Sequence, residues 1–182
     1  MSERSTRAEM GVKNYLIEGV SGTGKTAVCK ELQRRGYHAI NGDREFAYLG
    51  DPETGNPTDG PTDEPSAIFR SEHHIWDVEK VKTLVANQDK AATFFCGNSR
   101  NSSKFIDLFD GVFILEIDLD TLNRRIDERV ALDPTDRGAK PAERVIIAIL
   151  HQTREAIPSS GVTIDATQPL EQVVGEILSK CR

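Results

Sequence analysis

The chain has 182 residues, of which 37% are hydrophobic and 29% are charged, and its formal net charge is −6. These values are ordinary for a soluble protein with one α/β core, and the length leaves little room for a second domain. The acidic balance and the lack of a long basic tract argue against a nucleic-acid partner, and no segment is apolar enough to predict a membrane span or a membrane partner.

Residues 1–10 lack the apolar core of a signal peptide, so the sequence predicts a flexible tail followed by a single domain over residues 11–182. The three cysteines, Cys29, Cys96 and Cys181, are odd in number and do not have the spacing of a metal site. Reduced cysteines are typical of the cytoplasm, where we expect the protein to act. The sequence does not indicate an oligomeric state.

The predicted elements alternate between strands and helices along the chain. Strands are expected at residues 15–17, 37–40, 91–96, 112–117 and 161–164, and helices at residues 27–35, 75–85, 105–109, 121–132, 141–157 and 169–180. Residues 50–66 contain too many prolines and glycines for regular structure and predict a long irregular segment. The alternation predicts an α/β fold with a parallel sheet covered by helices on both faces.

The most specific motif is a phosphate-binding loop over residues 19–26. It reads Gly19, Val20, Ser21, Gly22, Thr23, Gly24, Lys25 and Thr26, between a predicted strand and a predicted helix. Glycines let backbone N–H groups surround a phosphate, and the start of the helix adds positive charge. We expect Lys25 to contact the β- and γ-phosphates and the Thr26 hydroxyl to ligate Mg²⁺. The motif therefore predicts a nucleotide-binding protein.

The rest of the chain distinguishes between the classes of protein that carry this loop. A GTPase switch would contain an N-K-x-D segment that recognises guanine, and the chain has none. A motor ATPase would end the third predicted strand in an acidic residue, whereas this strand ends in Cys96 and Gly97. Asp118 follows the fourth predicted strand and is interpreted as a loop residue or as the N-cap of the next helix. Neither class fits well.

Residues 15–178 resemble the small-molecule and nucleotide kinases of the P-loop superfamily, such as adenylate, shikimate and gluconate kinases. The segments at residues 41–46, 95–101 and 164–167 are most similar to those of actinobacterial nucleoside-kinase-like ATP-binding proteins. The resemblance implies a three-layer fold with a five-stranded parallel sheet. It also implies an acceptor-binding insertion at about residues 44–76 and a lid at about residues 124–144. ATP and Mg²⁺ would be the cofactors, and the acceptor would be a small molecule.

The resemblance also suggests roles for single residues after three of the strands. Asp43 corresponds to an acid that orients the acceptor hydroxyl and Mg²⁺, although aspartate in an Asn-Gly-Asp turn is common without such a role. Arg100 lies where adenylate kinases place an arginine that contacts the acceptor, and capping of a loop is the alternative. Asp165 and Thr167 resemble the segment that lies against the adenine ring.

The candidate lid is rich in basic side chains, which related kinases use to neutralise the transferring phosphoryl group. The candidates are Arg124, Arg125, Arg129, Arg137, Lys140 and Arg144. We expect one or two of them to act, and favour Arg125 and Arg129 because positions i and i+4 share one helix face. Arg125 is also a candidate contact of the nucleotide. The alternative is a solvated basic face paired with the neighbouring acids.

The acceptor class is predicted from the insertion. Residues 43–77 contain nine acidic residues against two basic ones, Arg44 and Arg70. This charge favours a neutral or cationic acceptor such as a nucleoside, since an anionic acceptor would depend on Arg70 and Arg100 for compensation. Trp76 either stacks on a planar acceptor or anchors the long segment to the core. A regulatory nucleotide-binding ATPase and a nucleoside monophosphate kinase are the alternative functions.

Overall fold

The computed structural model describes residues 12–60, 66–87 and 89–181, and its centre is a five-stranded parallel sheet. The strands are β1 (Lys13–Glu18), β2 (His38–Asn41), β3 (Ala47–Leu49), β4 (His74–Trp76), β5 (Ala92–Cys96), β6 (Gly111–Glu116) and β7 (Val162–Asp165). The large sheet has the order β2-β5-β1-β6-β7, and each neighbouring pair is parallel. The predicted α/β fold is therefore confirmed. The predicted tail at residues 1–10 lies outside the described residues.

Helices cover both faces of this sheet and give three layers. They are α1 (Lys25–Arg34), α2 (Gly42–Glu45), α3 (Ala67–His73), α4 (Val78–Val85), α5 (Leu119–Leu132), α6 (Pro141–Thr153) and α7 (Leu170–Lys180), with 3₁₀ turns at Ser102–Lys104 and Ile106–Leu108. Because side chains alternate along a strand, Ile17 of β1 packs with α1, α5 and α7, while Leu16 packs on the opposite face with Trp76 and Val81. Among the described residues, no helix is long and apolar enough to cross a membrane.

The segment after β2 contains more regular structure than the sequence predicts. Strand β3 pairs with β4 in an antiparallel ladder, and α3 leads into β4. The helix predicted at residues 75–85 was wrong at its start: Ile75 and Trp76 belong to β4, and α4 begins after Asp77, whose carboxylate accepts a hydrogen bond from Lys80 N at 3.1 Å. Ile75 and Trp76 are fully buried, and a short apolar run does not distinguish a strand from a helix. Residues 61–65 of the predicted irregular segment lie outside the described residues.

The carboxyl ends of the five parallel strands lie at one edge of the sheet. The phosphate-binding loop follows β1, α2 follows β2, and residues 97–101 follow β5. Asp118 follows β6 and caps α5 by accepting a hydrogen bond from Thr121 N at 2.8 Å, which confirms its interpretation as an N-cap. In open α/β sheets ligands bind at this edge, so the candidate site residues are expected to meet here.

Candidate active site

The phosphate-binding loop is closed by its own hydrogen bonds. Thr23 Oγ1 donates to the carbonyl of Val20 at 2.8 Å, and the Thr23 N–H donates to the same oxygen at 3.3 Å. Gly22 and Gly24 have φ angles of +92° and +103°, which glycine adopts without steric cost. A Cβ at Gly22 would also lie 2.6 Å from Leu122 Cδ1. The loop therefore requires glycine at both positions, as a phosphate-binding loop does.

Lys25 opens α1 and folds back over this loop. Its ammonium donates to the carbonyl oxygens of Gly19 and Val20, the latter at 3.0 Å. Burial lowers the pKa of Lys25, while the carboxyl groups of Asp43 and Glu18 act in the opposite direction. A bound phosphate would compete with the two carbonyls for the ammonium. Thr26, the next residue, is exposed on the wall of the adjoining cleft.

Asp43 lies in α2 and has one occupied and one open carboxylate oxygen. Its Oδ1 accepts hydrogen bonds from His74 Nε2 at 3.0 Å, Trp76 Nε1 at 3.1 Å and the Asn98 N–H at 3.2 Å. Its Oδ2 has no hydrogen-bond partner in the part of the chain that the structure describes, and its side chain is 36% exposed. Burial raises the pKa of Asp43, but the His74 hydrogen bond and the Lys25 charge outweigh it, so the pKa lies below its ordinary value. The result is an ionised group with a free oxygen.

A cleft of about 790 Å³ brings these groups together. Residues 20–26 form one side of it, and Asp43, His74 and Asn98 form part of another. The candidate lid contributes Arg125, Arg129 and Arg137 to its lining, and the segment after β7 adds Ala166 and Gln168. This volume is in the range that holds a nucleotide-sized ligand. A smaller cavity of about 360 Å³ shares His74 and Arg137 with the cleft and is also lined by Arg70 and Glu143.

The two favoured lid arginines are both engaged with backbone carbonyls. Arg125 donates to Thr23 O at 3.1 Å and to Ala166 O at 2.6 Å, and so joins the phosphate-binding loop to the segment after β7. Arg129 donates to the Arg137 carbonyl at 2.8 Å, and its buried Nε has no partner among the described residues. Arg125 thus holds the phosphate-binding loop against the segment after β7, and Arg129 supports the backbone of the candidate lid.

Arg137 differs from the other lid arginines because its guanidinium makes no hydrogen bond or ion pair with the described residues. It lies on the wall of both cavities, where partial desolvation lowers its pKa and the carboxylate of Asp43 raises it. Arg124 instead pairs with Glu128 at 3.4 Å on the surface, as a solvated helix face would. Arg144 donates to Gly138 O at 2.9 Å, and Lys140 precedes α6 as its N-cap residue. Arg137 is the lid cation best placed to meet a new anion.

The predicted acceptor contacts Arg70, Trp76 and Arg100 do not meet in one site of the structure. Arg100 donates to the Ser71 carbonyl at 2.8 Å and pairs with Glu155 at 3.4 Å, so its guanidinium holds α3 in place and does not line the cleft. Trp76 is fully buried, stacks on Phe105 at 5.6 Å and cannot offer a ring face to an acceptor. Its anchoring role, the alternative that the sequence left open, is the one that fits. Arg70 lines the smaller cavity.

The segment after β7 forms a tight turn. Asp165 Oδ1 accepts hydrogen bonds from the N–H and the hydroxyl of Thr167, at 3.0 and 2.6 Å. Both side chains are exposed, and neither lines the cleft, whereas Ala166 and Gln168 do. A ligand in the cleft would therefore contact this segment through Ala166, Gln168 or backbone atoms.

Sequence reasoning missed three polar residues of the site: His74, Asn98 and Glu18. Glu18 ends β1, is fully buried, and accepts a hydrogen bond from Asn98 Nδ2 at 2.8 Å through Oε2. Burial raises the pKa of Glu18 to about 8, and the Asn98 hydrogen bond and the Lys25 charge act in the opposite direction. An acidic residue at the end of an apolar strand, directly before the phosphate-binding loop, is the signal that could have indicated it. His74 and Asn98 carried no comparable signal.

The residues of the cleft fit a magnesium ion that is shared with phosphate groups. Among the described residues, no cluster of three or more His, Cys, Asp or Glu side chains could hold a metal by itself. The Thr26 hydroxyl and Asp43 Oδ2 are oxygen ligands of the kind that Mg²⁺ takes when nucleotide phosphates complete its coordination. Thr26 would hold the ion directly and Asp43 would hold it through a bound water, which leaves Asp43 Oδ2 able to accept a proton.

Comparison with known proteins identifies the family. The family model of an AAA domain matches residues 16–145. A gluconokinase from Sinorhizobium meliloti 1021 has a TM-score of 0.55 and 20% sequence identity, over 94% of this chain and 92% of that chain. A shikimate kinase from Bacteroides thetaiotaomicron has a TM-score of 0.58 and 17% identity, over 92% of this chain and 97% of that chain.

A shikimate kinase from Aquifex aeolicus vf5 has a TM-score of 0.52 and 16% identity, over 91% of this chain and 94% of that chain. No curated protein matches the sequence. The expected likeness to small P-loop kinases is confirmed at the level of the fold. The chain belongs to the AAA domain family and has the fold of the small P-loop kinases.

Proposed function

We propose that the protein transfers the γ-phosphoryl group of ATP to a hydroxyl group of a small-molecule acceptor. The observation that carries this proposal is that Asp43 Oδ2, the open oxygen of an ionised carboxylate, lies in the same cleft as Lys25 and Thr26. A carboxylate opposite a phosphate-binding loop can accept the proton of a hydroxyl as that hydroxyl attacks phosphorus.

The reaction assigns one task to each group. The acceptor oxygen forms a bond to the γ-phosphorus, the bond to the bridging oxygen breaks, and ADP leaves. Asp43 Oδ2 takes the hydroxyl proton, while Lys25 and Arg137 offset the charge that develops on the phosphoryl oxygens. Mg²⁺, when bound, neutralises charge on the phosphates. Arg125 holds the phosphate-binding loop and the segment after β7 in fixed positions relative to each other.

A neutral acceptor such as a nucleoside is the class that the acidic insertion favours. The acidic side chains of this insertion act from a distance, since Asp43 is the only described acidic residue of 43–77 that lines the cleft. Asp51, for example, accepts hydrogen bonds from Glu53 N and Thr54 N in a surface turn. Salt screens such charges beyond about 8–10 Å, so this preference should be modest.

An acceptor with an anionic group is the second candidate, and the smaller cavity favours it. Arg70 and Arg137 both line this cavity, next to His74. Its described acid, Glu143, accepts a hydrogen bond from Gly138 N at 3.0 Å. Two guanidinium groups around a cavity of about 360 Å³ suit a carboxylate or a phosphate.

The experiment is a screen for acceptor-dependent ADP formation. Nucleosides, nucleoside 5′-monophosphates, polyols and aldonates are each tested with ATP and Mg²⁺, and Lys25→Ala serves as the inactive variant. Because Lys25 offsets phosphate charge, this substitution should lower the rate at least about 10²-fold, or about 3 kcal/mol. An acceptor that raises ADP formation and becomes phosphorylated supports the proposal. Slow ATP hydrolysis that no compound changes would contradict it and favour a regulatory ATPase.

A further inference from the structure

Asn98 is fixed in one orientation by two acceptors. Its Nδ2 donates to Glu18 Oε2 at 2.8 Å and to the Ala156 carbonyl at 2.9 Å. A backbone carbonyl only accepts hydrogen bonds, so the amide nitrogen, not the amide oxygen, must face Ala156. Both hydrogens of the amide are used. The backbone of Asn98 is held as well, because its N–H donates to Asp43 Oδ1 at 3.2 Å.

Glu18 is the least accessible member of this chain of hydrogen bonds. It is fully buried, and its Oε1 has no partner among the described residues. A buried carboxyl with one unsatisfied oxygen costs free energy, so stability of the fold does not account for it. An apolar side chain at this strand end would avoid the cost. A role in the neighbouring cleft does account for it.

The three residues come from three different strand ends. Glu18 ends β1 immediately before the phosphate-binding loop, Asn98 follows β5, and Asp43 follows β2. The other two donors to Asp43 Oδ1, His74 and Trp76, both come from β4. Asn98 therefore makes the link between the carboxylate and the strand that carries the phosphate-binding loop.

We propose that Glu18 and Asn98 are positioning residues that hold Asp43 in register with the phosphate-binding loop. Glu18 fixes the Asn98 side chain, and the Asn98 N–H completes the set of donors on Asp43 Oδ1. With Oδ1 held from two sides, Oδ2 is the oxygen presented to the acceptor hydroxyl and to a water bound to Mg²⁺. The inference rests on the proposed function in that it takes Asp43 as the reactive carboxylate. Partners of this kind change metal affinity or activity by about 10–100-fold when they are removed.

The test uses Trp76, the only tryptophan of the chain, as a probe. Because its indole donates to Asp43 Oδ1, its fluorescence should respond when Mg²⁺ and a non-hydrolysable ATP analogue bind at Asp43. The variants are Asn98→Ala, Glu18→Leu, the double variant and Glu18→Gln. Asn14→Ala is the matched control, because Asn14 is a buried β1 amide that donates to Val85 O at 3.3 Å, at the other end of the strand. Unfolding by denaturant is measured for each.

We expect Asn98→Ala and Glu18→Leu each to raise the Mg²⁺ concentration for half-maximal response by about tenfold or more. The metal-free affinity for the ATP analogue should change by less than about twofold, since the phosphate-binding loop is intact. The double variant should resemble Asn98→Ala alone, because the two residues act through one path. Glu18→Gln keeps an acceptor for Asn98 and should recover most of the affinity that Glu18→Leu loses.

Either of two results would overturn the inference. One is that Asn98→Ala behaves like Asn14→Ala, with lower stability and an unchanged Mg²⁺ response. The other is that the effects of the two single substitutions simply add. If Asn98→Ala does not fold, the comparison of Glu18→Leu with Glu18→Gln decides the question. Failure of the proposed function is distinct, because it is seen in the acceptor screen of the wild-type protein, whereas these binding measurements need no acceptor.

Discussion

The indole N–H of Trp76 donates a hydrogen bond to Asp43 Oδ1 at 3.1 Å. The most buried aromatic side chain of the insertion is therefore hydrogen-bonded directly to the candidate catalytic carboxylate. The Trp76 ring also stacks on Phe105, with centroids 5.6 Å apart and planes inclined by 4°. The Trp76 side chain therefore contacts both the hydrophobic core and the candidate catalytic carboxylate. Substitutions of Trp76 and of Phe105 can therefore separate the effect of core packing from the effect of positioning Asp43.

Trp76→Phe removes the indole N–H and keeps an aromatic ring in the core. We expect the free energy of unfolding to fall by about 1–3 kcal/mol and kcat for phosphoryl transfer to fall about tenfold, because Oδ1 loses one of three donors. Denaturant unfolding and steady-state kinetics measure the two effects. Phe105→Leu is the control: it removes the stacking partner but keeps the hydrogen bond, so stability should fall without a matching loss of kcat.

Asp43→Asn tests the charge of the carboxylate at nearly constant shape. The asparagine oxygen can still accept from His74, Trp76 and the Asn98 N–H, so the free energy of unfolding should change little. The amide in place of Oδ2 cannot accept a proton, and kcat should fall by about 10²-fold or more. Asp118→Asn, at the N-cap of α5, is a control that keeps capping and should keep activity. A stability loss with normal activity per folded molecule would make Asp43 structural.

Much of this arrangement was predictable from sequence, because it depends on local patterns. The glycines and Lys25 of the phosphate-binding loop lie within eight consecutive residues, and apolar strands alternate with helices along the chain. Asp43 was identified because it follows a strand at the place where the kinases that the sequence resembles have an acid. These features predicted the parallel sheet and a phosphate-binding loop between its first strand and the following helix.

The remaining contacts join residues that are far apart in the chain. His74 is separated from Asp43 by 31 positions, and Asn98 from Glu18 by 80. No periodicity relates such positions, so the network becomes visible only when the strands are paired. Helical spacing predicted that Arg125 and Arg129 share a face, but it did not predict that backbone carbonyls would engage both. Arg137 lies in an irregular turn, where spacing predicts no direction.

Arg137→Ala should lower kcat by about 10–100-fold, because its guanidinium faces the cleft without another partner among the described residues. The KM for ATP should change by less than about threefold if Arg137 acts mainly on the transferring phosphoryl group. Arg124→Ala, which removes a surface cation paired with Glu128, is the matched control and should retain activity. Equal losses in the two variants would indicate a general charge effect and contradict a direct role for Arg137.

Glu18→Gln should change how stability depends on pH. The ordinary pKa of Glu18 is 4.5, and burial raises it to about 8 in the folded protein. Between these values the folded state keeps a proton that the unfolded chain has released, so the group makes the wild-type protein less stable as pH rises. The loss approaches about 1.4 kcal/mol for each pH unit in this window. Glutamine does not titrate and removes this loss.

The comparison isolates Glu18, because Lys25 and Asp43, the charged groups that act on it, are present in both proteins. We expect the difference in unfolding free energy between Glu18→Gln and wild type to grow steadily in favour of the variant between about pH 5 and pH 8. Denaturant unfolding at several pH values measures it. A difference that stays constant over this range would mean that Glu18 is already ionised in the folded protein. Its hydrogen bond to Asn98 would then be charge-assisted, and Glu18→Gln would weaken the hold on Asp43 instead of preserving it.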